Sequence, residues 1–383
     1  MPSVSCLFHL SGEDIKTENF TLSLPINKCP RLDAICPYFT RFPLSFPWQH
    51  LIYAEVGQQL LDPFCGCGTS LLAARLRGLC GTGIECNPVA AAIARAKIST
   101  ASPSAVIARA AVLLASDDSV ELPEGAFWKH CFSPGVLDAL CRLRTHFQGT
   151  LTTQTDLVLC AILLGLLHGP SDRRLFFSNV MPASYAPSQE TLLLFWTDNH
   201  MRPPDADVLE IIERRAKYIL CETMDTPPAR VICGDCRAKE PYANLDTIDH
   251  IITSPPYFGL NSFIQDQWLR MWFLGNPKVS EYLITQTSVE AYIKELAQVW
   301  RNCASVCRPG ASLCVRFGEV PGFNSIHPRA ILETSLALAD SGWKIKRFKP
   351  VVEKHNGTDY TIPCPPPASR PRHEFVLHGR LET

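Results

Sequence analysis

The chain has 383 residues, 46% of them hydrophobic and 19% charged. These are globular proportions that exclude general disorder, and the length suffices for one large core or two ordinary domains. Lys and Arg number 36 against 37 Asp and Glu, a net charge of −1, which argues against broad non-specific coating of nucleic acid but leaves room for a focused basic cleft.

The longest apolar run, Leu157 to Leu167, is too short to cross a bilayer. The opening residues, Met1-Pro2-Ser3-Val4-Ser5-Cys6, lack the charged stretch and apolar run of a secretion signal. The 17 cysteines are odd in number and scattered through apolar segments, so the expectation is a cytoplasmic protein with reduced core thiols and no disulfide framework.

In chain order, the alternation Phe20-Thr21-Leu22-Ser23-Leu24 predicts a peripheral strand. Residues Tyr38 to Trp48, including Phe42, are dense in aromatics and proline and read as a packed turn leading into a helix. Next come Gln58 to Leu61, then Asp62-Pro63-Phe64-Cys65-Gly66-Cys67-Gly68-Thr69, then an apolar run from Leu71: strand, tight glycine turn, helix. Glycines there let the backbone approach a ligand at the carboxyl end of the first strand, where doubly wound sheets bind ligands. The third glycine of a dinucleotide fingerprint and the Gly-Lys-Ser/Thr of a P-loop are both missing, which disfavours pyrophosphate. A second strand, Gly81 to Ile84, ends in Glu85, placed either to take the ribose hydroxyls of a nucleoside or to sit as a solvated acid. Val89 to Lys97 reads as an alanine-rich helix.

From about Thr100 to Pro228 the strand-helix alternation breaks. Apolar helical segments at 133–147 and 155–168 are separated by polar and proline-rich loops. Arg173 and Arg174 are placed to contact phosphate or to form a solvated pair, and His168 reads either as a contact to a bound nucleobase or, more readily, as a satisfied structural histidine. The alternation resumes with Arg230 to Cys233 and Gly234-Asp235. Cys233 and Cys236 form a Cys-x-x-Cys, but no second pair at zinc spacing and no histidine cluster accompanies them, so no metal is expected.

The run Ile248 to Ile252 predicts a buried strand that ends in Thr253-Ser254-Pro255-Pro256-Tyr257. Two prolines fix φ and remove two donors, leaving nearby carbonyls able to accept from a ligand. With the Ser254 hydroxyl and the Tyr257 ring beside them, the turn makes a slot for a flat amine. Beyond it lie an aromatic segment at 265–273, which walls a pocket or fills the core, an amphipathic helix at 288–303, a strand at 310–317, a helix at 327–341 and strands at 343–348 and 374–378. The proline-rich stretch before the last strand carries Arg370, with Arg372 just beyond, and serves either as a lip over a ligand or as a plain connector.

The strings Asp62–Thr69 and Thr253–Tyr257 together resemble the motifs of the DNA amino-methyltransferases, the N4-cytosine and N6-adenine enzymes. That resemblance implies an α/β fold with a Rossmann-like seven-stranded methyltransferase sheet and helices on both faces. Residues 1–99 and 229–383 would form the core, and 100–228 a helical insertion that is a candidate target-recognition region. S-adenosyl-L-methionine would be the cofactor, met by Phe42, Asp62, Pro63, Phe64, Gly66, Gly68 and Thr69, with Glu85 on its ribose and Asp235 on its adenine amino group. Ser254, Pro255, Pro256 and Tyr257 would be catalytic. DNA would be the partner, its target base flipped onto Tyr257, with Arg173, Arg174, Arg370 and Arg372 as weaker substrate contacts. A cognate restriction enzyme is a further possible partner, and no membrane is expected.

Family members whose turn begins with serine are mostly N4-cytosine enzymes. An N6-adenine enzyme, an RNA amino-methyltransferase and a catalytically silent recognition subunit remain as alternatives. The insertion falls between the second and third strands, away from the family's usual recognition segment, so the resemblance does not say which residues read sequence. Pro363-Cys364 lies far from the fourth-strand turn, which separates this chain from the ring-carbon cytosine enzymes and their cysteine nucleophile.

Overall fold

The computed structural model describes residues 31–39, 41–116, 119–149, 151–170, 175–220, 227–258, 265–277, 284, 288–319, 327–351 and 373–382. The expected strand at Phe20–Leu24 and the four arginines 173, 174, 370 and 372 lie outside them.

Leu60 and Leu61, adjacent in the first strand, are both fully buried but belong to different apolar clusters. Alternating side chains of one strand can do this only in a sheet covered on both faces. The strands are β1 (Gln59–Asp62), β2 (Cys80–Glu85), β3 (Ala229–Cys233), β4 (Ile248–Thr253), β5 (Cys307–Gly318), β6 (Trp343–Pro350) and β7 (Glu374–Leu381). They form one seven-stranded sheet in the order β3-β2-β1-β4-β5-β7-β6. β1 to β5 run parallel, while β7 lies antiparallel between β5 and β6. This is the Rossmann-like methyltransferase sheet. The order reverses beside β1, whose neighbours are β2 and β4, and open α/β sheets bind ligands at such a switch point.

On one face lie α1 (Ser45–His50), α2 (Thr69–Arg77) and α3 (Pro88–Ile98); on the other lie α11 (Val289–Val306) and α12 (Pro328–Ala339). Local chemistry sets several of these starts. The Asn87 side chain accepts from the backbone N–H groups of Val89 and Ala90 ahead of a proline at the first position of α3, and Ser288 caps α11 in the same manner.

Residues 100–228 contribute α4 (Pro103–Leu114), α5 (Ala126–Cys131), α6 (Pro134–Phe147), α7 (Gln154–Leu166), α8 (Gln189–Asp198) and α9 (Val208–Ile219), and no strand among the described residues. α7 is apolar nearly all round, from Val158 to Leu166, and packs against α3 and α4. Its residues share one continuous core with Leu60, α2 and α3, so the insertion is a second helical layer on that face of the sheet. α10 (Trp268–Phe273) follows the catalytic-turn candidate and packs into the same layer, with Phe273 fully buried.

Arg270 of α10 fastens this layer. It is fully buried and donates to the carbonyls of Leu164 (3.0 Å) and Ala183 (2.8 Å) and to Gln267 Oε1 (2.6 Å). Removing it leaves three acceptors without a donor in a water-free interior. Arg270→Ala is expected to destabilise the fold by about 3 kcal/mol, read as a fall in the denaturant midpoint; a change within 0.5 kcal/mol, the scale of a surface substitution, would contradict the role.

Candidate active site

The carboxyl ends of β1 and β4 are joined at Asp62. Its carboxylate has no exposed surface and accepts from the Phe64 N–H (3.1 Å), from the Ser70 hydroxyl at the start of α2, and from the Thr253 hydroxyl (2.6 Å) at the end of β4. Burial pushes its pKa up to about 6 against the pull of those hydrogen bonds. The acid expected among the cofactor contacts is therefore turned inward, joining the glycine turn to the Ser-Pro-Pro-Tyr turn.

In the glycine turn, Gly66 and Gly68 have φ of +50° and +76°, left-handed values that favour glycine. A Cβ on Gly68 would stand 2.8 Å from Ala94 in α3, whereas one on Gly66 would meet nothing within 4 Å. The turn thus packs tightly behind and opens in front. The Gly66 N–H donates to Glu85 Oε2 and the Asn87 N–H to Glu85 Oε1, both at 2.7 Å. Desolvation nonetheless raises the Glu85 pKa to about 7, with Asp62 adding to the rise and the backbone donors opposing it. The acid at the end of β2 and the glycine loop after β1 are therefore a single hydrogen-bonded unit.

Thr69 begins α2 and is buried, while Phe64 is half-buried with its ring edge-on to Trp300 at 6.4 Å. Pro63 is buried in the turn between them. Phe42 stacks edge-on against Phe46 of α1 at 5.1 Å. Asp235 differs from its sequence reading in one respect: Arg237, two residues on, holds both of its carboxylate oxygens at 2.8–3.0 Å through side chain and backbone, and also pairs with Glu295. An acceptor for an adenine amino group at Asp235 would share the carboxylate with that guanidinium.

The Ser-Pro-Pro-Tyr turn leaves the sheet directly beside the glycine turn. Tyr292 of α11 donates to the Pro256 carbonyl at 2.5 Å, while no described residue donates to the Pro255 carbonyl. Tyr257 packs edge-on to Phe317 at 5.2 Å, and its phenol donates to Glu374 Oε1 at 2.5 Å. Glu374 in turn is gripped by Arg316 at 2.5 and 3.2 Å. Burial and the adjacent Glu374 charge hold the Tyr257 hydroxyl protonated, as a donor and not a base. Sequence reasoning missed Arg316, Glu374 and Tyr292; they carry no motif, and their distance from the turn along the chain hides the connection.

His168 is fully buried with Nδ1 2.6 Å from the Pro182 carbonyl and Nε2 without a hydrogen-bond partner among the described residues, and burial together with Arg270 keeps it neutral. Trp272 and Phe273 lie within the aromatic packing of the helical layer. No described helix is long and apolar enough to cross a membrane.

No protein-family model and no characterised protein matches the sequence. Among solved structures, TrmN from Thermus thermophilus aligns at TM-score 0.35 and 10% identity over 88% of this chain, which spans 48% of that protein. The rRNA methyltransferase aviRa from Streptomyces viridochromogenes aligns at TM-score 0.34 and 12% identity over 90% of this chain and 88% of its own. TTHA0409, a putative DNA modification methylase also from Thermus thermophilus, aligns at TM-score 0.24 and 20% identity over 39% of this chain and 52% of its own. The fold class is carried by the strand order and not by these loose likenesses.

Thr253→Val keeps the shape of the β4 end but removes a donor from a buried carboxylate. A loss of about 1–3 kcal/mol is expected at pH 7; because the folded Asp62 pKa, about 6, already lies above the ordinary carboxylate value of 3.8, the loss shrinks as the pH falls below about 6 and the buried carboxyl becomes neutral. Unchanged urea unfolding at pH 7 would rule out the Asp62 link as a structural tie.

Proposed function

We propose that the chain is an S-adenosylmethionine-dependent DNA methyltransferase that modifies the exocyclic N4 amine of cytosine. What supports this above all is the direct bond between Asp62 and Thr253, which sets a ligand-facing glycine turn and an acceptor-rich amine slot side by side at the switch point of the sheet. The residues fit the cofactor: Gly66 faces open space, and the Glu85 carboxylate stands at the end of the adjacent strand. When bound, S-adenosylmethionine supplies an electrophilic methyl on a sulfonium, and the protein supplies position and electrostatics.

An aromatic amine is a poor nucleophile because its lone pair is delocalised into the ring. Ser254 and the Pro255 carbonyl accept the amine hydrogens and draw them out of the ring plane, which localises the lone pair on nitrogen. Tyr257 offers the stacking face for the flipped base. The Arg316–Glu374 pair fixes that ring by its phenol, so stacking costs little further ordering. The surplus amine proton would leave by way of the Ser254 hydroxyl, which is both acceptor and donor, to solvent, and no covalent enzyme intermediate is needed. The helical layer of residues 100–228, standing on the face that carries α1 and α2, is the proposed reader of target sequence, and Arg173, Arg174, Arg370 and Arg372 are proposed phosphate contacts.

Expression of the chain in a methylation-free host, with mass analysis of nucleosides from its DNA and RNA, is expected to yield N4-methylcytosine in DNA. N6-methyladenine alone, or methylated RNA alone, would overturn the substrate. Ser254→Ala with Tyr257→Ala should lower turnover at least about 100-fold, the range of positioned acceptors and donors, while cofactor affinity stays within a factor of two to three. Normal methylation by the double variant would place the chemistry elsewhere.

The Glu85 carboxylate accepts ribose hydroxyls only when ionised. Its raised pKa, about 7, predicts that affinity for S-adenosylhomocysteine is flat above about pH 8 and weakens roughly tenfold per unit as the pH falls below 7. Glu85→Gln should remove that slope. Calorimetric affinities that do not change between pH 6 and 8 would contradict the ribose contact.

A further inference from the structure

On the face of the sheet that carries α1, three soft ligands from distant parts of the chain meet. His50 ends α1, Cys314 lies in β5, and His378 is the direct cross-strand partner of Cys314 in β7. Their ligand-capable atoms all lie within 4.8 Å of one another. Cys314 is buried while both imidazoles are half-buried, so the group is reachable from solvent on one side. Cys233 and Cys236, the Cys-x-x-Cys pair from which no metal is expected, are not part of it.

The local geometry suits coordination. His50 Nδ1 is 2.7 Å from the Phe46 carbonyl; a hydrogen bond there places the proton on Nδ1 and leaves the Nε2 lone pair as the ligating atom, the outer-sphere arrangement typical of metal-bound histidine. The His50 and His378 rings lie near-parallel, 5.1 Å between centroids and 26° apart, and one nitrogen of each lies within 4.8 Å of the other and of the Cys314 sulfur. Zinc–nitrogen and zinc–sulfur bonds of about 2.0–2.3 Å put neighbouring ligand atoms about 3.5 Å apart, so closure from 4.8 Å or less needs side-chain adjustment of about 1 Å. Arg316, Arg347 and Lys349 lie near the two histidines, and a metal-bound thiolate supplies the negative charge that offsets them.

We infer that His50, Cys314 and His378 form a binding site for a thiophilic transition-metal ion, zinc foremost, with the fourth position left to water. Two imidazoles and a thiolate are the donor set that selects such ions over magnesium or calcium. The ion would staple α1 across β5 and β7. Phe46, one turn before His50, packs against Phe42 and under the Arg316 guanidinium, so the staple would steady the segment leading into the glycine turn. Its role is structural, and it stands whether or not the methyl-transfer reading does.

The test uses the full chain, purified without chelator and then stripped and titrated with Co²⁺. Elemental analysis is expected to give one zinc per chain, and Co²⁺ a thiolate-to-metal charge-transfer band at one equivalent. Cys314→Ser should abolish the band, and His50→Gln and His378→Gln should each weaken Co²⁺ binding by at least about 100-fold. Cys233→Ser with Cys236→Ser should retain it in full. Circular dichroism of the single variants separates lost ligation from lost folding, and His378→Gln provides a second reading should Cys314→Ser unfold. Absence of the band in the wild-type chain overturns the site, as does its persistence in folded Cys314→Ser or its loss with the Cys233/Cys236 change.

Discussion

The three hydrogen bonds to Asp62 are the constraint on which the site depends. An ionised carboxylate in a water-free interior is costly unless donors surround it, and here they come from the turn after β1, the first turn of α2 and the last residue of β4. Because the three donors together offset only part of the desolvation cost, losing any one of them is felt at both turns, and the carboxylate ties together two turns 191 residues apart. Register between the parallel strands β1 and β4 alone would bring the turns near each other. The shared acid specifies their relative orientation.

A second layer of polar contacts surrounds this link. Glu85 binds the glycine turn through the Gly66 N–H, and Tyr292 binds the proline turn through the Pro256 carbonyl. Arg316 and Glu374 hold the Tyr257 phenol from β5 and β7. The strand ends of β1, β2, β4, β5 and β7 around the two turns therefore each supply at least one fixed polar group. Such preorganisation is what a site needs when its chemistry rests on positioning a nucleophile rather than on forming a bond to the protein.

Much of this was legible in the sequence, and the reasons are local. Asp62 to Thr69 followed by an apolar run can hardly be other than strand, turn and helix, and Pro88 after Asn87 marks the start of α3. Strands and helices read from periodicity lie within about three residues of their observed ends. What was not legible is non-local. Nothing in Glu374 to Leu381 says that it inserts antiparallel between β5 and β6, since both neighbours are chosen by packing over the whole sheet. α5 is only six residues long, too short for a helical period to show, whereas α9 carries a regular apolar face in Val208, Ile211, Ile212, Ala216 and Ile219 behind an Asp207 cap and is legible on a closer reading. The Asp235–Arg237 pair was missed although the residues are two apart, because a tight turn and not helical spacing brings them together. His50, Cys314 and His378 share no spacing at all; only the sheet assembles them.

The anchor of Tyr257 lies at the far end of the chain. Glu374 opens the final strand, and every string by which a reader would recognise this protein ends at Tyr257. A gene product interrupted anywhere between those positions would still display the glycine loop, the acid after β2 and the proline turn. It would lack the carboxylate that orients the aromatic ring, the partner for a buried arginine and the strand that closes the sheet between β5 and β6. For this fold, a complete set of motifs is not a complete machine.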